Sequence, residues 1–127
     1  MKSRILVVDD DEMVQTTIVM LLQGLPYEAE SVFSGEEAIR RIEAMHFDVI
    51  CTDFQMPGMN GVELMKHVRE RSPDSAVILM TGLVLRDEKL EHAGADAYLQ
   101  KPFTIDDLRD SLDKALRQKD GRNRSRG

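Results

Sequence analysis

Three consecutive aspartates, Asp9, Asp10 and Asp11, stand directly behind the apolar run "ILVV", and a fourth, Asp53, closes the run "DVICT". A hydroxyl residue, Thr81, ends a third apolar run, "AVILMT", and Lys101 follows a fourth, "AYLQ". Two carboxylates about 4 Å apart repel by roughly 4 kcal/mol at an effective dielectric near 20, so acids gathered at one point need a cation or a shifted protonation state. A hard divalent ion meets that need. Mg²⁺ takes oxygen donors and binds through one or two carboxylates together with a phosphate, and Mn²⁺ accepts similar donors. Soft metals are excluded: Cys51 is isolated inside an apolar run, and His46, His67 and His92 are scattered over helices or helix ends, where they read as solvated surface. Asp11 and Glu12 have a separate use, because acids at a helix start gain about 0.3–1 kcal/mol from the dipole and cap its free amides. That use does not extend to Asp9, Asp10 and Asp53, which read as a metal site.

The elements that carry these residues alternate. Ile5 to Val8 reads as a buried strand, and residues 12 to 24 then place Ile18, Leu21, Leu22 and Leu25 along one helical face. The weaker strand "AESVF" leads to Ser34, which with Glu37 forms a capping box for a helix burying Ala38, Ile39, Ile42 and Met45. "DVICT" is the third strand. The loop "FQMPGMNG" follows, and Asn60 caps a helix over about 61 to 71 with Leu64, Met65 and Val68 inward. "AVILMT" is apolar throughout, which predicts a strand covered on both faces at the centre of the sheet. A short helix over 86 to 93 ends at Gly94, "AYLQ" is the last strand, and Thr104 opens a helix burying Leu108, Leu112, Ala115 and Leu116. The pattern is βα repeated five times: an α/β, doubly wound parallel sheet of five strands with five helices on its two faces. In such a sheet the ligand crevice lies beyond the carboxyl ends of the strands, which is where all six residues of the opening constellation fall.

At 127 residues the chain is one domain's worth, and 42% hydrophobic with 31% charged residues is an ordinary globular balance. The first apolar run is too short for a secretion signal and no later run approaches a membrane span, so a cytoplasmic protein without membrane contact is expected. One cysteine allows no internal disulfide. The net charge is −6, yet residues 117 to 127, "RQKDGRNRSRG", hold five basic side chains against one acid and leave −10 on the rest. Direct nucleic-acid binding by that acidic body is not expected. Residues 1–117 are read as the domain, and 118–127 as a basic polar tail or linker.

Taken together, "ILVVDDDE", "DVICTDFQMPGMNG", "ILMTG" and "GADAYLQKPF" resemble, in the right order and over residues 4 to 117, the receiver domain of bacterial two-component response regulators. The resemblance implies a flavodoxin-like, CheY-like sheet of strand order 2-1-3-4-5. It makes Asp53 the phosphoacceptor, charged from a phosphohistidine on a sensor histidine kinase or histidine phosphotransfer protein. Asp10 and Asp53 would ligate Mg²⁺ with the backbone carbonyl of Gln55, and Asp9 would stand in or just outside that shell. Lys101 would neutralise the transferred group, with the bond to Pro102 cis. Thr81 and Tyr98 resemble the family's switch pair, changing an output face made of the helix near 86–93, the strand 97–100 and the helix 104–117 for a downstream effector. Gln55 and Leu83 match the positions that tune dephosphorylation, and apolar Leu83 predicts a slow rate. Val14 and Thr17, near the mouth of the site, are the residues to test for partner docking, with core packing an equal use for Val14.

The same resemblance makes the reaction a stoichiometric self-phosphorylation followed by hydrolysis rather than enzymatic turnover. Two departures stand out. Asn60 occupies a position where aspartate is common, and the stretch from Thr81 to Lys101 is a residue or two short, which bears on the fourth helix and the output face. One rival is a Mg²⁺-dependent phosphatase with an aspartyl nucleophile, since Asp9 and Asp11 have its two-residue spacing, but the chain has no room for a cap domain. A receiver degenerated to a binding module is the other, and the intact Asp10, Asp53, Thr81 and Lys101 argue against it.

Overall fold

The computed structural model describes residues 2–82 and 93–126, with side chains described as far as Gly121. Five strands follow the apolar runs: β1 (Ser3–Val8), β2 (Tyr27–Val32), β3 (Val49–Asp53), β4 (Ala76–Thr81) and β5 (Ala97–Gln100). Among the described residues four helices connect or follow them: α1 (Glu12–Leu22), α2 (Gly35–Ala44), α3 (Gly61–Arg71) and α4 (Ile105–Arg126). The helix expected over 86–93, with Leu83 and His92, lies almost wholly outside the described residues.

All the strand pairs are parallel and the order is β2-β1-β3-β4-β5, the doubly wound arrangement expected. Alternation along each strand sends side chains to two separate cores. Ile5, Val7, Val49, Cys51, Ile78 and Met80 face α1 and α4, meeting Ile18, Leu22, Leu108 and Leu112. Leu6, Val8, Ile50 and Val77 face α2 and α3, meeting Ala38, Leu64, Met65 and Val68. Every residue of β4 is buried, as its sequence required, but the middle strand is β3 and β4 lies one place off centre.

The ends of the helices follow their side chains. Asp11 accepts a hydrogen bond from the Met13 amide at 2.9 Å and caps α1. Ser34 caps α2 through the Glu37 amide, and Asn60 with Glu63 makes a reciprocal capping box on α3. Asn in place of the common aspartate therefore keeps the cap. Helix α4 opens with Thr104 and Asp107 exchanging hydrogen bonds and runs on to Arg126, so the segment expected as a tail or linker is helical through that residue. Gln, Lys and Arg are good helix formers, and cations near a helix carboxyl end complement its dipole.

Candidate functional site

The carboxyl ends of β1 and β3 bring Asp9, Asp10 and Asp53 together, each offering an oxygen within 4.8 Å of those of the others. Strand register makes this unavoidable. Val8 of β1 lies beside Thr52 of β3, so the residues that follow each strand emerge side by side. Asp10 is exposed, Asp53 is partly buried, and Asp9 is sealed from solvent. Both oxygens of Asp9 are engaged: Oδ1 accepts from the Asp11 amide at 2.8 Å, and Oδ2 accepts from Lys101 Nζ at 2.8 Å. The same ammonium stands 3.3 Å from Asp53 Oδ1. Lys101 thus bridges the two acids across the crevice between β1 and β3, reached from β5 through a backbone hydrogen bond from its amide to the Thr81 carbonyl at 2.7 Å. The Lys101–Pro102 bond is cis, as expected.

Electrostatics follow from this crowding. Burial, then the charge of Asp9, raises the Asp53 pKa from its ordinary 3.8, and Lys101 only partly offsets the rise. Burial alone would lower the Lys101 ammonium, but its contacts with Asp9 and Asp53 outweigh it, and its pKa is raised from 10.5. Cys51, one strand layer behind, is pushed up to about 12 chiefly by burial, so its thiol is inert and no metal donor.

The donor set tests the expected ion. Hard carboxylate oxygens converge, and among the described residues neither a histidine nor a thiolate belongs to the cluster. That is the chemistry of an Mg²⁺ site rather than a soft-metal site. Gln55, two residues past Asp53, is exposed on the same loop.

The remaining expected residues divide. Thr81 is 2% exposed at the end of β4, beside Gln100, while Tyr98 pairs with Leu79. The alternation puts Thr81 and Tyr98 on one face of the sheet. The Tyr98 hydroxyl accepts a hydrogen bond from the Ala95 amide at 3.3 Å, which directs it at the β4–β5 connection rather than at Asp53. Val14 and Thr17 line a groove with Met13, Lys101, Pro102 and Phe103, and Val14 also packs on the core. Asp11 caps α1 and Asp9 is bound to Lys101, so both acids of the two-residue spacing that suggested a phosphatase have structural partners.

Two supporting residues escaped the sequence reading. Gln15 is buried, and its Nε2 donates to the Asp9 carbonyl at 2.9 Å and to the Val32 carbonyl, tying α1 to the ends of β1 and β2. Its signal is a polar residue at i−3 from Ile18, on the buried stripe of an amphipathic helix. Gly61 opens α3 so close to β3 that a Cβ there would stand 2.3 Å from the Asp53 carbonyl oxygen. Its signal was the glycine directly after a helix cap.

The fold and the site define a doubly wound α/β domain with an acidic, lysine-bearing crevice at the carboxyl rim of its sheet. The chain belongs to the response regulator receiver domain family, whose model matches residues 5–113. It is 32% identical over 123 residues to the chemotaxis protein CheY of Pseudomonas aeruginosa, covering 93% of this chain and 99% of that one. It is 34% identical over 117 residues to the transcriptional regulatory protein ZraR of Salmonella typhimurium, covering 91% of this chain but only 26% of ZraR. Among solved structures, the response regulator TrrA of Thermotoga maritima in complex with Mg(2+)-BeF superposes with a TM-score of 0.79 at 33% identity, covering 90% of this chain and 99% of that one. Among the described residues no helix is long and apolar enough to cross a membrane.

Proposed function

We propose that this receiver domain takes a phosphoryl group on Asp53 from a phosphohistidine of a sensor histidine kinase or histidine phosphotransfer protein, with Mg²⁺. The observation that carries the reading is Lys101 Nζ, 3.3 Å from Asp53 Oδ1 inside the three-carboxylate cluster. An oxygen of Asp53 forms the new bond to phosphorus as the bond from phosphorus to the donor imidazole nitrogen breaks, and the imidazole leaves with the bonding pair. Phosphoryl transfer asks the protein mainly to position groups and neutralise spreading charge. Lys101 does this by turning from Asp9 and Asp53 toward the arriving oxygens. Asp10, Asp53 and the Gln55 carbonyl would hold Mg²⁺, which supplies further neutralisation of the phosphoryl oxygens when bound, a reading supported by analogy with TrrA in complex with Mg(2+)-BeF. Asp9 orients Lys101, and Gln15 and Gly61 keep the two strand ends in place.

The modification is stoichiometric and ends by hydrolysis of the acyl phosphate, with no free substrate turned over. Thr81 donates its hydroxyl to the phosphoryl group, and Tyr98 exchanges its contact with Ala95 for an inward position, altering the surface around β5 and α4 for an effector. The protein works in the cytoplasm, where phosphodonor kinases present their phosphohistidines. Incubation with Mg²⁺ and acetyl phosphate, followed by intact-mass measurement, should show a phosphate-sized gain that Asp53→Ala abolishes. No gain at saturating Mg²⁺ would overturn the reading.

A further inference from the structure

Of the three groups proposed to hold Mg²⁺, Asp10 and Asp53 stand at strand ends, while the Gln55 carbonyl rides on the loop between β3 and α3. Parallel pairing of β1 with β3 fixes the first two. The third is only as well placed as the loop that carries it. The near end of that loop is held by backbone: the Phe54 amide donates to the Met80 carbonyl at 2.8 Å, and the Gly61 amide donates to the Phe54 carbonyl at 3.0 Å. Past Gln55 the anchors are side chains. Met56 is buried in the core between the sheet and helices α2 and α3. Gly58, with φ at +75°, turns the chain back, and Met59 packs against the same core.

Met59 comes to rest on Gly35, the first residue of α2. A Cβ on Gly35 would lie 2.9 Å from Met59 Sδ, 3.0 Å from its Cβ and 3.1 Å from its Cγ. The sulfur could swing aside, because methionine is flexible. The Met59 Cβ cannot, being fixed to the backbone, so one added methyl group would have to move the loop. The tip of the loop leans on the same helical turn: a Cβ on Gly58 would lie 3.4 Å from Glu36 Oε1. Glycine is a poor helix former, up to about 1 kcal/mol below alanine. What Gly35 supplies to α2 is therefore close approach of the loop rather than helix stability.

We propose that Gly35 and Met59 are positioning residues for the metal: their contact clamps residues 54–60 onto the first turn of α2, and so sets where the Gln55 carbonyl points and how tightly Mg²⁺ is held. This rests on the reading of Asp10, Asp53 and the Gln55 carbonyl as the Mg²⁺ ligands. Neither Gly35 nor Met59 is a ligand in that reading. Each acts through the loop, as groups that orient metal ligands do.

Titration calorimetry of MgCl₂ into the full chain tests this. Gly35→Ala and Met59→Ala should each weaken Mg²⁺ binding by roughly tenfold, the low end for groups that orient metal ligands. Gly121→Ala makes the same change where nothing lies within 4 Å of the added Cβ, and Met59→Leu keeps the apolar volume. Each of these should shift the affinity by less than about twofold. Gly35→Ala combined with Met59→Ala should bind no more weakly than Met59→Ala alone, because the added methyl group then meets open space. At saturating Mg²⁺ every variant should take phosphate from acetyl phosphate at close to the wild-type rate, an outcome that a distorted Asp53 would not give. Urea unfolding in chelator checks folding, and Met59→Ala, which only removes atoms, keeps the test open should the added methyl of Gly35→Ala prevent it. Unchanged affinity in Gly35→Ala and Met59→Ala, losses that add in the double variant, or phosphorylation that stays slow at saturating Mg²⁺ would each overturn the proposal. A wild-type chain that binds no Mg²⁺ would overturn the reading of the metal site, and the proposal with it.

Discussion

Around Arg4 and Asp48, near the amino ends of β1 and β3, each acid has a basic partner. Arg4 lies 3.7 Å from Glu28, Arg41 binds Glu30 through two nitrogens, and Asp48 stands 3.7 Å from His46 and 3.9 Å from Lys119. At the carboxyl ends of the same strands Asp9, Asp10 and Asp53 gather, and among the described residues Lys101 is the cation paired with two of them, Asp9 and Asp53. Both rims are charged, but among the described residues only one is balanced. A paired rim is a solvated scaffold whose contacts are individually weak. An unbalanced cluster that includes a fully buried carboxylate is held against its own repulsion, and it persists because the surrounding fold over-determines it. Under the proposed function, the difference locates where positive charge is added from outside.

The largest way to break this comparison is to remove the cation at each end. Lys101→Met leaves Asp9 buried without its partner and should cost about 2–4 kcal/mol, after allowance for the partial exposure of the lysine. Lys119→Met, at the balanced end, should cost less than about 0.5 kcal/mol. Urea unfolding in a chelator measures both, and equal losses would erase the distinction between the rims.

A somewhat smaller effect comes from adding charge rather than removing it. With Mg²⁺ at about a hundred times its dissociation constant, the folded protein should gain about 2.7 kcal/mol. Asp10→Asn combined with Asp53→Asn should remove the gain, whereas Asp48→Asn should keep it. Thermal unfolding with and without the ion decides this; a gain that survives the loss of both site aspartates would move the metal elsewhere.

How much of this was legible in the sequence depended on what kind of force placed each residue. The alternation of apolar runs with helical periods foretold the sheet, and the caps at Asp11, Ser34 and Asn60 are local chemistry that a sequence displays directly. Asp9, Asp10, Asp53 and Lys101 could be gathered at one rim because parallel strands put their carboxyl ends together. That Asp9 pairs with Lys101 was not legible, because it depends on which oxygen faces the buried side. Gln15 was obscured because period arguments sort residues by polarity, and its polar end satisfies backbone carbonyls instead of water. The course of α4 past Arg117 was obscured for the opposite reason: a segment without an apolar stripe reads as tail, yet it can continue a helix already nucleated by Leu108 and Leu112. The switch role of Tyr98 and the part of Leu83 in hydrolysis rest on resemblance, and Leu83 lies outside the described residues.

The smallest and sharpest prediction concerns acid. Asp53 has a folded pKa raised above its ordinary 3.8, chiefly by burial and then by Asp9, so the folded chain holds that proton longer than the unfolded chain does. Its contribution therefore destabilises progressively as pH rises from about 3.8 through the raised folded value, and then stays constant. Glu30 is the reverse case: its hydrogen bond to Arg41 lowers its pKa from 4.5, so its stabilising contribution is complete above 4.5 and is lost as pH falls through the lowered folded value. In chelator, Asp53→Asn should match the wild type near pH 3 and become more stable by about 1 kcal/mol near pH 7, the size expected for relieving repulsion in a partly solvated cluster. Glu30→Gln should be slightly less stable than wild type at pH 7 and converge with it in acid. Urea midpoints for the three proteins between pH 3 and 7 read the two slopes directly. Curves that ran parallel, or an Asp53→Asn variant less stable than wild type at neutral pH, would mean that the carboxylate cluster is balanced after all and that its crowding marks no place for an added cation.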